Sequence, residues 1–214
     1  MFFKRMASTV FFLLFTVNLF AAEWELATTD DDLGIKVYTR AVAGSPLKEF
    51  KGVIKVKSTL NGLVSLVSDT ENRPNWMFNM LTSKVLKKIN EKESYIYSVN
   101  KTGPFIDDRD SIVHSVLEQD PETKIVTIRL EGKPEYIPVS DDAVRVASIN
   151  GLWEFSPNSD GTVDVVHQIH ADPSGSIPQS LINSFIVKSP LETLAGLHEH
   201  VQKYQDKKLD FIVE

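Results

Sequence analysis

The stretch from Pro178 to Lys207 constrains the fold most, because its apolar residues recur mostly at steps of three and four. That spacing places them on one stripe along an α-helix. The stripe consists of Leu181, Ile182, Phe185, Ile186, Leu191, Leu194, Leu197, Val201 and Tyr204. About 30 residues at 1.5 Å each give a helix of roughly 45 Å, which is long enough to cross a whole sheet. A proline inside the stripe, Pro190, predicts a kink or a break there.

The segments before this helix alternate between apolar and polar residues, as the strands of a half-buried sheet do. They are residues 35–40, 47–57, 83–89, 94–102, 109–119, 124–132, 143–157 and 162–173. Residues 59–77 change to helical spacing, and Pro74 starts a second short helix. Short turn sequences between successive strands favour antiparallel pairing. The pattern therefore predicts an α+β fold in which a long helix lies across one face of an antiparallel sheet.

The first 22 residues have the layout of a secretory signal peptide. Lys4 and Arg5 precede the apolar run "VFFLLFTVNLF", and two alanines follow it. The apolar run is about half of the roughly 20 residues that a membrane span needs. We therefore expect a signal peptide over residues 1–22, cleaved after Ala21 or Ala22, and a periplasmic or secreted protein. An uncleaved N-terminal anchor is the alternative.

The charge of the chain after this segment is strongly negative. The 23 Lys and Arg residues fall to 21 once Lys4 and Arg5 are removed, against 29 Asp and Glu residues, which leaves −8. An acidic surface argues against nucleic acid and against strong binding to anionic lipid headgroups. The chain has no cysteine, so it has neither disulfides nor thiolate metal sites. We expect a monomer.

The histidines do not form a catalytic or metal-binding pattern. His167 and His170 are three apart on a predicted strand and face opposite sides. His198 and His200 are two apart on a predicted helix, roughly 200° around its axis. His114 has no such neighbour, and the sequence contains no phosphate loop, GxSxG or HExxH motif. We therefore predict no catalytic residue, no metal and no cofactor.

Six short motifs occur in one order along the chain. They are Trp24 with "GIKVYTR" (34–40), "NRPNW" (72–76), "GPFIDDRDSIV" (103–113), "VR" (144–145), "GLWEFSP" (151–157) and "DPSGSIPQSLIN" (172–183). Together they resemble the START domain, the lipid-transfer domain related to the steroidogenic acute regulatory protein. The resemblance extends over roughly 24–203. It implies a START-like lipid-binding domain at residues 23–208, followed by a C-terminal tail at 209–214.

The resemblance implies a helix-grip fold, in which a curved antiparallel sheet wraps around the long C-terminal helix and leaves an internal cavity. It further implies that the cavity binds a single lipid or sterol-like molecule, which the protein carries between membranes through transient membrane contact. Some sterol-binding members have a second arginine where this chain has Ser115, which argues against cholesterol-type ligands. Two alternatives stay open. One is a ligand-sensing module without transfer, and the other is a cyclase-like or hydrolase-like cavity enzyme with His114 or His167 pointing inward.

The candidate ligand-binding residues of this cavity come from strands, a loop and the last helix. They are Trp76, Arg109, Val113, Ser115, Arg129, Tyr136, Arg145, Trp153, His167, Leu181 and Phe185. Strand alternation groups Arg109, Val113 and Ser115 on one face, without indicating which face meets the cavity. Arg109 either locks a turn or a helix to the sheet or contacts a lipid headgroup. The apolar residues of the loop at 133–142 form either a lid or membrane-touching tip, or a loop folded onto the sheet.

Overall fold

The computed structural model describes residues 22–214. The signal peptide predicted over residues 1–22 therefore falls outside the described residues, except for Ala22. No helix within 22–214 combines the length and the apolar character needed to cross a membrane.

Ten strands of the described chain form one sheet. They are β1 Glu25–Asp30, β2 Ile35–Ala41, β3 Lys48–Lys57, β4 Met80–Asn90, β5 Glu93–Asn100, β6 Arg109–Gln119, β7 Val126–Gly132, β8 Val144–Arg145, β9 Ser148–Pro157 and β10 Thr162–Asp172. Their order is β1-β2-β3-β10-β9-β7-β6-β5-β4, with β8 beside β6. Neighbours pair antiparallel, except that β8 runs parallel to β6. The helices are α1 Leu60–Ser68 and α2 Gln179–His200, with 3₁₀ turns at Thr70–Asn75 and Val201–Tyr204.

The predicted α+β fold is confirmed, since the alternating segments correspond to β2 to β7, β9 and β10. Two strands differ from the prediction. The sequence does not predict β1, whose side chains are mostly exposed and therefore lack an apolar alternation. Residues 143–157 form two strands rather than one, because the backbone N–H of Val146 bonds to Asp110 while that of Ala147 bonds to Asp172.

The short helix α1 closes one end of the fold. Thr59 caps its first turn, with the side-chain oxygen accepting a hydrogen bond from Gly62 N at 2.9 Å. The apolar residues that predicted this helix, among them Leu63 and Val64, are fully buried. They join Trp153 and residues from the second half of α2 in one core cluster. This end of the molecule is therefore filled by packed side chains.

Helix α2 lies across the sheet and continues through Pro190, so of the predicted kink or break, the break is wrong. Pro190 is buried against β3 at Gly52, where an added Cβ would lie 3.0 Å from Pro190 Cβ and 2.8 Å from Leu194 Cδ1. This close packing holds the helix on the sheet despite the hydrogen bond that a proline cannot donate. The helix ends at His200, earlier than predicted, and continues as a 3₁₀ turn.

The predicted C-terminal tail at 209–214 is part of the fold. Ile212 is buried, and the Glu214 carboxylate accepts hydrogen bonds from Leu60 N at 2.9 Å and Asn61 N at 2.8 Å. These N–H groups begin α1 and have no partner within the helix, so the carboxylate satisfies them and complements the helix dipole. The segment therefore stabilises the closed end of the molecule.

Candidate functional site

A cavity of about 310 Å³ lies between the sheet and the first half of α2. Ligand pockets in proteins occupy roughly 300–1,000 Å³, so this one is at the lower end of the range. Most of its lining is apolar and comes from alternate residues of the strands and from one face of α2. That lining includes Phe50, Met77, Ile96, Leu130, Val146, Ile149, Ile169, Ile182, Phe185 and Ile186.

The cavity shows which face of β6 points inward, a question that the alternating pattern leaves open. Arg109, Ser111 and Val113 line it, and Asp110 points to the other side of the sheet. The same alternation on β7 sends Leu130 inward and Arg129 outward. Strand alternation is therefore the physical reason why only some of the candidate residues reach the cavity.

Arg109 binds backbone carbonyls at the cavity mouth. It donates to Pro173 O at 3.2 Å, to Ser174 O at 2.9 Å and to Asp107 O. The first two carbonyls belong to the segment that leads into α2. Gly175 follows with a φ of +64°, and a Cβ there would lie 3.0 Å from Arg109 Nη2. The arginine thus locks the start of α2 to the sheet, while its side chain also lines the cavity.

Asp110 holds a second segment at the mouth from the other face of β6. It is fully buried and accepts two hydrogen bonds from Arg145, at 2.8 and 2.9 Å. This bidentate contact raises the pKa of Arg145. Arg145 also donates to carbonyls of the loop between β7 and β8, residues 133–143 (the 133–143 loop), including Ile137 O at 3.1 Å. The Arg-Asp pair at the start of β6 thus fixes both segments that border the mouth.

The 133–143 loop is folded onto the sheet at one point and exposed at another. Tyr136 stacks on Tyr95 with ring centroids 4.1 Å apart, whereas the side chain of Val139 is 71% exposed. Phe105, in the neighbouring loop between β5 and β6, is fully exposed and has a φ of +63°. Val144 N bonds to Asp108 O at 2.9 Å and joins the two loops. The mouth therefore carries two exposed apolar tips.

His167 occupies the closed end of the cavity within an aromatic cage. Its ring stacks on Trp153 with centroids 3.9 Å apart and meets the edge of Phe50 at 5.4 Å. The side chain is buried, and its Nδ1 has no hydrogen-bond partner within residues 22–214. Burial, and secondarily the positive charge of Arg73, lower the pKa of His167 to about 3. The imidazole is therefore neutral at physiological pH.

Arg73 is the cation beside His167, and the sequence analysis does not single it out as a site residue. Its Nε and Nη2 donate to Val67 O, at 3.1 and 2.8 Å, at the end of α1. Burial lowers its pKa to about 10, although the nearby Asp69 carboxylate opposes the shift, so the guanidinium stays charged at neutral pH. Arg73 is partly buried and is one of the residues that line the cavity.

Five of the predicted ligand-binding residues line the cavity: Arg109, Val113, Trp153, His167 and Phe185. They come from β6, β9, β10 and α2, so elements far apart in the sequence converge on one space. Ligand contact by these residues remains a prediction.

The other six predicted residues lie outside the lining. Trp76 belongs to the core behind Trp153, with ring centroids 6.2 Å apart. Ser115 is buried beyond Val113, the last lining residue of β6. Arg129 is exposed, and its Nε lies 3.5 Å from Glu118 Oε2.

The remaining three lie at the mouth rather than in the cavity. Tyr136 and Arg145 belong to the contacts of the 133–143 loop. Leu181 faces Gly103 of the neighbouring loop, because its neighbour Ile182 takes the inward position on α2. His114, considered as an inward base for an enzyme, is on the outer face of β6 and lies 2.9 Å from Glu93.

The antiparallel sheet, the helix across it and the cavity between them define a helix-grip protein. The family model described as START domain matches residues 15–207, so the chain belongs to the START domain family. Members of this family bind lipids or other hydrophobic ligands.

Known proteins agree with this assignment. The crystal structure of a STAR-related lipid transfer protein from Xanthomonas axonopodis is 36% identical, with a TM-score of 0.76, and covers 84% of this chain and 98% of its own. Human StAR-related lipid transfer protein 5 has the same TM-score at 19% identity, over 86% of this chain and 88% of its own, and shows the fold alone. An uncharacterized protein from Pseudomonas aeruginosa is 32% identical over 87% of this chain and 90% of its own.

Proposed function

We propose that the protein binds one lipid or similar hydrophobic molecule in its cavity and carries it between membranes. The observation that supports this is the apolar space of about 310 Å³ beneath the first half of α2. A 16-carbon chain exposed to water costs about 13 kcal/mol, at roughly 0.8 kcal/mol per CH₂. A cavity about as apolar as a bilayer removes that cost, so extraction and release are both reversible.

Entry of a lipid through the mouth of the cavity requires contact with a membrane. Phe105 and Val139 are the exposed apolar tips there, and Asp107, Asp108 and Asp142 lie close to them in sequence. Apolar tips beside carboxylates suit a membrane surface without net negative charge. The start of α2 then moves aside, and Gly175, in the segment that precedes the helix, acts as the hinge.

The proposal is for a non-catalytic protein that acts as a monomer. An enzyme would need an inward base, and the inward histidine, His167, has a pKa of about 3 and is held between aromatic rings. A base of that strength removes few protons at neutral pH. We propose further that the chain is exported with removal of residues 1–22, which N-terminal sequencing of protein from the periplasmic fraction tests.

The test of lipid transport compares the same substitution at two positions of β6. Val113→Trp fills the cavity, whereas Val116→Trp places the same side chain on the outer face of the strand. Native mass spectrometry measures the lipid that co-purifies, and transfer between donor and acceptor vesicles measures carriage. We expect Val113→Trp to lose both and Val116→Trp to keep both.

Other outcomes separate the alternatives. Lipid binding without any vesicle transfer by the unsubstituted protein identifies a sensor rather than a carrier. Equal transfer by both variants would show that the cavity does not carry the cargo.

A further inference from the structure

A groove of about 580 Å³ runs along the flank of α2, on the other side of one cavity wall. Met77, Phe78 and Asn79, between the first 3₁₀ turn and β4, line both the groove and the cavity. The opposite bank of the groove comes from the second half of α2 and includes the exposed Glu192 and the half-buried Ala195. A segment of three residues therefore separates the apolar cavity from a larger groove.

Part of this wall is sealed against α2 by backbone contacts. Toward the closed end, the helix approaches Trp76 at Gly196, where an added Cβ would lie 2.2 Å from Trp76 O. One turn earlier on the helix, Thr193 Oγ1 accepts a hydrogen bond from Phe78 N at 3.2 Å, and Thr193 is 1% exposed. Contacts this close to the backbone leave no side chain that could swing aside, so this part of the wall is fixed.

The rest of the wall depends on a contact between two rings. The Phe78 ring meets the edge of Phe185, on the first half of α2, with ring centroids 5.7 Å apart. Both residues are half-buried and neither belongs to the core cluster of the described chain, whereas Met77 packs against it. Phe185 lines the cavity but not the groove, so Phe78 is the aromatic residue that borders both spaces. A change at the Phe78 side chain therefore alters the wall without breaking the backbone contacts.

The cavity alone restricts the size of its ligand. Its volume of about 310 Å³ is at the lower end of the range for ligand pockets. The packed core around α1 and Trp153 fills the space beyond the closed end. A chain longer than the cavity therefore either leaves its end in water at the mouth or needs the space beyond Phe78.

We propose that Phe78 is a specificity-determining residue, whose ring closes the cavity toward the groove and thereby sets the longest acyl chain that the protein takes up. This inference rests on the proposed function and names the length limit of the same ligand. Each CH₂ group that leaves water increases the affinity roughly fourfold. The affinity therefore rises with chain length until the cavity is full, and further CH₂ groups add nothing.

The test measures the affinities of primary alcohols, from octanol to octadecanol in steps of two carbons, for the delipidated mature protein by displacement of a fluorescent apolar probe. The alcohols share one uncharged head, so differences in affinity come from the chain. For the unsubstituted protein, we expect a rise of roughly fourfold per CH₂ up to one chain length and a plateau beyond it. In Phe78→Ala, the plateau begins at a longer chain, because the chain end enters the groove.

Matched variants show whether the groove takes up the longer chain. Phe185→Ala removes the other ring of the same contact, but Phe185 does not border the groove. We expect its plateau to begin at least one step of the series earlier than that of Phe78→Ala. Glu192→Trp fills the groove from its exposed bank, so it should leave the unsubstituted series unchanged and return Phe78→Ala to the plateau of Phe185→Ala. Phe78→Leu, compared with Phe185→Leu, serves as the readout if Phe78→Ala does not fold.

Three results would overturn the inference. The first is an affinity that rises without a plateau over the whole series in the unsubstituted protein. The second is a plateau at the same chain length in Phe78→Ala and Phe185→Ala, and the third is a late plateau of Phe78→Ala that persists when Glu192→Trp is added. Each of them leaves the carrier function in place as long as Val113→Trp loses vesicle transfer. Unchanged transfer in Val113→Trp removes the carrier function itself.

Discussion

The neutral, buried His167 predicts that the protein loses stability as the solution becomes mildly acidic. In the unfolded chain, a histidine has its ordinary pKa of 6.5, whereas in the fold the pKa of His167 is lowered to about 3. Between these values, the unfolded chain takes up a proton that the folded chain does not. The stabilisation is therefore complete above pH 6.5 and is lost as the pH falls toward the folded pKa.

The size of the stability loss follows from the pH interval in which only the unfolded chain is protonated at this histidine. Each unit of pKa difference corresponds to about 1.4 kcal/mol, so lowering the pH from about 7.5 to about 5 costs roughly 2 kcal/mol from this residue. Equilibrium urea denaturation, followed by tryptophan fluorescence at both pH values, measures the free energy of unfolding. The comparison variant is His167→Phe, which cannot take up the proton.

The two proteins differ at residue 167 alone, so the difference between their pH dependences isolates His167. We expect the unsubstituted protein to lose roughly 2 kcal/mol more than His167→Phe over this range. Equal losses in the two proteins would refute the reasoning, because they would mean that the imidazole accepts a proton in the folded state as easily as in water.

Three further predictions concern the helix and the mouth. Arg145→Gln breaks the buried ion pair with Asp110, so it should lower the free energy of unfolding by about 3 kcal/mol and expose the 133–143 loop to protease. Arg129→Gln breaks an exposed ion pair and should lower the free energy of unfolding by less than about 1 kcal/mol. Equal effects of the two substitutions would contradict this prediction. Gly52→Ala places a methyl 2.8 Å from Leu194 Cδ1 and should cost about 1–3 kcal/mol in thermal denaturation, so an unchanged Tm opposes the packing argument. Phe105→Asp should change stability by under about 0.5 kcal/mol but slow vesicle transfer, and normal transfer speaks against membrane contact at this tip.

The sequence predicts the strands well because their apolar residues alternate over a half-buried sheet. The pattern is missing in β1, where Leu26 is 57% exposed and no buried face repeats. The pattern also does not separate β8 from β9, because it continues through Val146 while the hydrogen-bond partners change. Partner changes of this kind depend on distant strands and leave no local signal.

The site is less predictable than the fold, for a physical reason. The stripe on α2 is continuous in sequence, yet Phe185 faces the cavity and Leu194 faces the packed core. Arg73 looks like an ordinary arginine after a short helix, because the residues that line the cavity with it, such as Trp153 and His167, come from strands much later in the chain. The signal that could have identified Arg73 is its place in the NRPNW motif.

The order of strands across the sheet has a consequence for how the chain folds. β4 to β7 follow one another and can form a meander by local closure, but β3 pairs with β10, joining Lys57 to Thr162. Closing so long a loop carries a large entropic cost and slows folding. Until β10 arrives, β3 and β9 present unpaired edges that invite aggregation. A chain cut before Thr162 would lack β10 and would therefore leave β3 without its neighbour in the sheet.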